Sequence, residues 1–329
     1  MSGYSQPKNL YEQQAHNKRV TVLVMVGFIL FLAFLGFGFD NYMFGGFEAG
    51  AFFPLGTLTA VIVGSVSATW SLGGGAKAVL NSANAIPADE NNPAHKQLLN
   101  IVDEMTIASG LSRPKVYVVP DGDPNAFATG KDPEHSYIAV TEGLLNSLNR
   151  EELQGVVAHE MSHIRNYDIR LMTVVAALVG SILLLSDWAR RAMWYGRSKS
   201  SRSRSGGQLG AVIFILWIIG IILAPLIGQL MAMLVSRRRE FLADASAAEL
   251  TRNPLGLASA LKKLENAVAP TASIKRGAAH LCIVDPLGKS VNLKEGAVAE
   301  LFGTHPPIQK RILALQAMAY QIASSTPAA

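Results

Sequence analysis

The sequence of 329 residues contains a single cysteine, Cys282. That scarcity excludes an intramolecular disulfide framework and any zinc or iron–sulfur site built from thiolates. A metal, if there is one, must be held by histidine and carboxylate. Cys282 itself lies in the apolar run Leu281 to Val284 and reads as a small core residue. Charge is sparse as well: Asp, Glu, Lys and Arg make up 16% of the chain, against about 25% in an ordinary soluble domain. Histidine is rare, with 7 in the chain, so a closely spaced pair is informative. What the chain has in abundance is apolar residues, 50% of the total, and this calls for a membrane class to be tested first. The formal charge of +5 is carried by basic residues that cluster beside apolar segments. No internal repeat is visible.

From Val20 to Phe39 the chain reads VTVLVMVGFILFLAFLGFGF, enough for a helix to cross a hydrocarbon core of about 30 Å. It is too long for the apolar core of a cleaved signal peptide, so it is expected to remain in the protein. A second uncharged stretch, Ala51 to Ser71, carries Pro54, Gly56 and Gly64 and is also expected to span. Lys8, Lys18 and Arg19 precede the first span, whereas the short connection between the spans holds Asp40 and Glu48 and no basic residue. The positive-inside rule then puts the N-terminus in the cytoplasm.

At about Gly73 the composition turns to that of a soluble domain. Helical periodicity runs from Pro93 to Ser109 through Leu98, Leu99, Ile101, Val102 and Met105. Lys115 to Val119 and Tyr137 to Thr141 are short β-rich runs bounded by Pro, Gly and Asp. Two further apolar runs follow, Ile169 to Ser186 and Ala211 to Val235, joined by Asp187 to Gly210. That connection carries Arg190, Arg191, Arg197, Lys199, Arg202 and Arg204. If both runs cross the bilayer, the basic loop lies outside, against the charge rule. Either the runs form a re-entrant or partly buried hairpin with the loop at the cytoplasmic lipid surface, or the neighbouring domain overrides the bias. The tract RSKSSRSRS at Arg197 to Ser205 is read as a solvated loop that meets anionic lipid headgroups, and no nucleic-acid partner is expected.

Between these regions lies VAHEMSHIR, at Val157 to Arg165, preceded by Asn149, Arg150, Glu151 and Glu152 as an N-cap and acidic first turn. Residues four apart on a helix project from one face, so His159 and His163 are spaced as two ligands of one zinc ion. Glu160 stands beside them, able to take a proton from the attacking water and return it to the leaving amine, while the metal polarises the scissile carbonyl. Catalytic zinc takes three protein ligands, and no third histidine follows closely. The best third ligand is Glu240 in SRRREFLADASA, with Asp244 one turn later placed to accept the free ring N–H of a ligating histidine. Taken alone, those two carboxylates would read as a solvated helix face balancing Arg237, Arg238 and Arg239. Only the first motif reverses that preference.

HExxH at His159 to His163, EFLAD at Glu240 to Asp244, NAFATG at Asn125 to Gly130 and THPP at Thr304 to Pro307 together resemble the HtpX family of membrane zinc metallopeptidases, in the same order and over nearly the whole chain. The core is also distantly similar to CAAX prenyl endopeptidases. The resemblance implies a gluzincin-type zinc endopeptidase of the bacterial inner membrane. One Zn2+ per chain would be bound by His159, His163 and Glu240, with Glu160 as general base and the catalytic domain facing the cytoplasm. It also implies stress-linked quality control of unfolded or misfolded membrane proteins. Asn125 and Ala126 are read as an edge that pairs with extended substrate, or else as a turn into a strand. His305 is read as a donor to the tetrahedral oxyanion, or else as a structural loop residue.

The expected fold is α+β and mainly helical, a membrane protein whose zincin-like domain is interrupted by an apolar helical hairpin. Its expected parts are a cytoplasmic segment 1–19, two spans 20–72, a first catalytic part 73–168, the apolar helices and basic loop 169–235, and a second catalytic part 236–329. A dedicated prenyl-protein peptidase fits less well, because only four apolar segments are present. A zinc-stabilised scaffold that cleaves nothing would have no use for Glu160.

Overall fold

A computed structural model of the chain describes residues 10–44, 54–196, 219, 237–266, 271, 273–274, 281–284 and 306–325. Its first two helices, α1 (Leu10–Phe44) and α2 (Leu55–Ser82), contain segments long and apolar enough to cross a membrane. They lie close together. A Cβ added to Gly36 would meet the Gly56 carbonyl oxygen at 2.6 Å, so small residues set the approach of the two backbones. Asp40, near the end of α1, caps α2 by accepting the N–H groups of Gly56 and Thr57 at 2.6 and 2.7 Å.

The second span was expected to end near Ser71, with a soluble domain from Gly73, but α2 runs on to Ser82. Three consecutive glycines disfavour a helix, yet tertiary packing outweighs them here. Ala76, Val79 and Leu80 are buried, and a Cβ on Gly75 would come within 3.1 Å of Thr173.

The strands β1 (Ile86–Pro87), β2 (Lys115–Val119), β3 (Ala126–Gly130) and β4 (Ser136–Thr141) form a mixed sheet in the order β1-β2-β4-β3. β2 and β4 are parallel and the other pairs antiparallel, which leaves β3 at an edge. Helix α3 (Pro93–Ser109) begins under the Asn92 side chain and ends at Gly110, whose φ of 66° suits glycine. The period-two alternation of the strands sorts the core into layers. Val116, Val118, Ala128, Ile138 and Val140 face a core shared with α3 and with α5 (Arg150–Arg165). Phe127 and Ala139 face the other way, onto Val79 and Leu80 of α2 and Met172 and Ala176 of α6 (Asp168–Gly196). The sheet thus lies between the site-bearing helix and the pair α2 and α6.

Helix α6 packs Leu171, Val174, Val175 and Leu178 against Val24, Phe28 and Leu32 of α1. It continues through Asp187 to Gly196, so the first part of the expected basic loop, Arg190 and Arg191 included, is helical. That stretch, DWARRAMWYG, contains no breaker before its final glycine, and Ala, Arg and Met are strong helix formers. The remainder of that loop lies outside the described residues, as does the fourth apolar run apart from Ile219, which is helical. The short α4 (Glu142–Ser147) precedes α5; α7 (Arg237–Thr251), α8 (Pro254–Asn266) and α9 (Ile308–Ser325) complete the described helices.

Candidate metal centre

Helix α5 starts with a reciprocal cap. Asn149 accepts the Glu152 N–H at 2.9 Å and the Glu152 carboxylate accepts the Asn149 N–H at 2.8 Å. Lys263 and Ser259 of α8 close on the same carboxylate at 2.7 Å each. Gly155 then lets the backbones meet, since a Cβ there would stand 2.8 Å from the Leu257 nitrogen. These contacts fix the rotation of α5, and that rotation turns His159 and His163 into the interior, where both are buried.

The two imidazoles face each other with Nε2 atoms 3.2 Å apart. Helix α7 brings Glu240 against them, with Oε2 3.7 Å from His159 Nε2 and Oε1 3.6 Å from His163 Nε2. One ligand atom from each of the three lies within 4.8 Å of the others. Bonds of about 2.0–2.1 Å around a tetrahedral ion separate its ligands by about 3.3–3.4 Å, so the three side chains fit one divalent cation with little rearrangement.

Buried carboxylates face the outer ring nitrogens, and the one beside His163 is within a hydrogen bond. His159 Nδ1 lies 3.0 Å from Asp244 Oδ1, and His163 Nδ1 lies 3.1 Å from Asp168 Oδ2. A carboxylate acceptor keeps the proton on Nδ1 and leaves the Nε2 lone pair for a metal. The two rings differ in charge preference. Burial holds the His159 imidazolium below its usual range, with Asp244 opposing and Arg311 and His163 reinforcing it. For His163, burial is outweighed by the hydrogen bond to Asp168 and the charges of Glu240 and Glu160, and the ring is pushed up to about 9.

Glu160 is buried, and among the described residues no side chain hydrogen-bonds to its carboxyl oxygens, which lie beside the Ala128 backbone. Burial pushes it up to about 7, with His163 pulling it down and Glu240 pushing it up. A carboxyl with that affinity for protons, adjacent to three side chains that could hold a metal ion, is suited to proton transfer near neutral pH.

Asn125 lies just before the edge strand β3, and Ala126 is its first residue. Their edge is engaged by the chain itself. The Ala126 carbonyl accepts the Ile283 N–H at 2.9 Å, and Asn125 Nδ2 donates to the Val284 carbonyl at 3.1 Å and to Thr271 Oγ1 at 3.2 Å. Cys282, read as a core residue, is buried in this same bridge opposite Phe127. His305 lies outside the described residues.

Two residues of the site were not singled out by sequence reasoning. Arg311 of α9 is fully buried. It donates through Nε and Nη2 to both oxygens of Asp244 at 2.8 and 2.7 Å, and through Nη1 to the Ile283 carbonyl at 3.1 Å. The same Nη1 lies 3.2 Å from Glu240 Oε2. Its signal was in the sequence, because Arg311 stands among Ile308, Ile312 and Leu315 on the apolar stripe of its helix, where a solvated cation has no place. Asp168 carried no such signal, since a lone aspartate at the head of an apolar run reads as a boundary.

The family model described as Peptidase family M48 matches residues 93–319. The chain is 43% identical over 311 residues to a protein named "Protease HtpX homolog" from Caldanaerobacter subterraneus subsp. tengcongensis, covering 94% of this chain and 98% of that protein. It is 42% identical over 310 residues to a "Protease HtpX homolog" from Ligilactobacillus salivarius, covering 94% and 100%. Among solved structures, the crystal structure of S. mikatae Ste24p aligns with a TM-score of 0.48 at 20% identity, over 93% of this chain and 66% of that one.

Proposed function

The chain belongs to peptidase family M48, and from that premise we propose that His159, His163 and Glu240 hold one zinc ion and that Glu160 is the general base beside it. The protein is a membrane-bound metallopeptidase acting on protein substrates. The observation that carries the assignment of roles is the convergence of the three ligand atoms within 4.8 Å beside the buried Glu160 carboxyl. A bound zinc would supply Lewis acidity toward a peptide carbonyl and acidify an attacking water. Glu160 accepts the proton of that water and passes it to the leaving amide nitrogen. Asp244 lies 3.0 Å from Nδ1 of the His159 ring, and Arg311 holds Asp244 in turn.

Extended substrate is assigned to the edge at Asn125 and Ala126, where the segment 281–284 now pairs and must give way. His305 is assigned to the oxyanion. The substrates are taken to be unfolded or misfolded membrane proteins, met at a site facing the cytoplasm of a bacterial inner membrane, with anionic headgroups against the basic residues after α6. Support for the membrane setting comes from the sheet, whose far face packs directly on α2 and α6.

The test is to purify the whole chain in detergent with a chelator, restore zinc, and compare cleavage of an unfolded protein by wild type and Glu160→Gln. Wild type should cleave only with zinc, and the variant should bind zinc and not cleave. Retained cleavage by the variant would remove Glu160 from the chemistry.

A further inference from the structure

The C-terminus of α5, immediately after the ligand His163, is closed by a helix remote in sequence. The last carbonyls of a helix lack partners within it. Here two of the carbonyls at this end are met by side chains of α1: Gln14 Nε2 donates to the Arg165 carbonyl at 2.8 Å, and Asn17 Nδ2 donates to the Asn166 carbonyl at 2.9 Å. Tyr167, at a φ of 59°, turns the chain between α5 and α6, and Lys18 Nζ sits 4.1 Å above its ring.

Asn17 does more than cap. The same Nδ2 donates its second hydrogen to Asp168 Oδ1 at 2.7 Å, while the other oxygen of Asp168 accepts from His163 Nδ1 at 3.1 Å. Both Asn17 and Asp168 are completely buried. A buried carboxylate needs donors to stay in place, and besides His163 and Asn17 the described residues bring only the Arg239 guanidinium against it, with Nε 3.5 Å from Oδ1. The amide oxygen of Asn17, by contrast, is buried with no partner among the described residues. Leaving a buried acceptor unpaired is destabilising, so the side chain is placed here for its two N–H groups. Rotating the amide would lose both.

We propose that Asn17, on the first membrane-type helix, is a positioning residue for the metal ligand His163 and acts through Asp168. The helix that anchors the protein is then part of the metal centre, and the catalytic region severed from α1 holds His163 less firmly. This inference rests on the reading of His163 as a ligand.

The experiment measures zinc affinity of the full chain in detergent by competition with a chromogenic chelator, for wild type, Asn17→Leu, Asn17→Asp, Gln14→Ala and His163→Ala. Leucine matches asparagine in shape, and aspartate turns an acceptor toward Asp168. Partners that orient a ligand are worth roughly 10–100-fold in metal affinity, so both Asn17 variants should bind zinc about ten-fold more weakly, with Gln14→Ala near wild type. Gln14→Ala removes a cap of the same kind without touching Asp168, so equal losses in Gln14→Ala and the Asn17 variants would reduce Asn17 to a helix cap and overturn the proposal. Wild-type affinity in either Asn17 variant would overturn it as well. If Asn17→Leu does not fold, Asn17→Asp decides. Unchanged affinity in His163→Ala would instead undo the ligand assignment itself, a separate failure.

Discussion

Arg311 and Asp244 form a two-pronged ion pair, Nε to Oδ2 at 2.8 Å and Nη2 to Oδ1 at 2.7 Å, with both side chains out of reach of solvent. The pair ties α9 to α7 beneath the metal ligands. Burying a cation this fully is tolerable only because the Ile283 carbonyl and Glu240 complete its shell. Arg311 is held as a cation well above its ordinary value, since Asp244, Glu240 and Glu160 outweigh the burial that opposes it.

Removing Arg311 alone leaves the Asp244 charge uncompensated. Arg311→Met should destabilise the protein by about 3–5 kcal/mol, read by denaturant or thermal unfolding in detergent. The double variant Arg311→Met, Asp244→Leu should be less destabilised than the sum of the single changes, because no buried charge is left alone. Additive losses would show that the two do not act as a pair.

Zinc should displace a proton from the His163 ring. In the metal-free protein that ring is pushed up to about 9, so at pH 7.5 loading should release about one proton per ion. Calorimetry in buffers of different ionisation enthalpy measures it. Zinc affinity should accordingly fall as the pH is lowered. Asp168→Asn removes the charge that raises the ring and should reduce the release. No release from wild type at pH 7.5 would mean that the ring is neutral there.

Gly155 is where α5 meets the backbone of α8, 2.8 Å from the Leu257 nitrogen for an added Cβ. Gly155→Ala should therefore destabilise by about 1–3 kcal/mol despite the better helix propensity of alanine. The helix must shift to make room, and His159, four residues on, shifts with it. Unfolding measurements and zinc affinity should both register the change; an alanine variant as stable as wild type would contradict the contact.

At Glu152, burial pushes the carboxyl up, but the hydrogen bonds from Lys263, Ser259 and the Asn149 N–H outweigh it and hold the group below its ordinary value. Its contribution to stability is then present above the unfolded-state value of about 4.3 and lost as the pH falls through the lower folded one. Glu152→Gln should cost about 1 kcal/mol at pH 7 and narrow the gap to wild type as the pH is taken below 4. A gap that is constant with pH would assign the effect to shape alone.

Much of the site was legible because it repeats at helical spacing. HExxH and EFLAD each put two functional groups one turn apart, and the helix geometry does the rest. The helix over Pro93–Ser109 and the strand over Lys115–Val119 appear with the bounds that periodicity gave them. The end of α2 did not, because three glycines spoke against a helix that Leu80 and its neighbours stabilise only by contacts distant in sequence.

By itself the sequence determined the local chemistry. It fixed which residues can ligate a metal, which carboxyl stands beside them, and which runs are apolar enough for a bilayer, because all three depend on residue type and near-neighbour spacing. What only the tertiary structure decided is who holds those groups in place. Arg311 reaches Asp244 across 67 residues, and Asn17 reaches Asp168 across 151. Which acceptor each of these donors meets leaves no periodic trace, since a hydrogen bond between distant segments exists only once the packing of α1, α6, α7 and α9 has brought donor and acceptor within 3 Å.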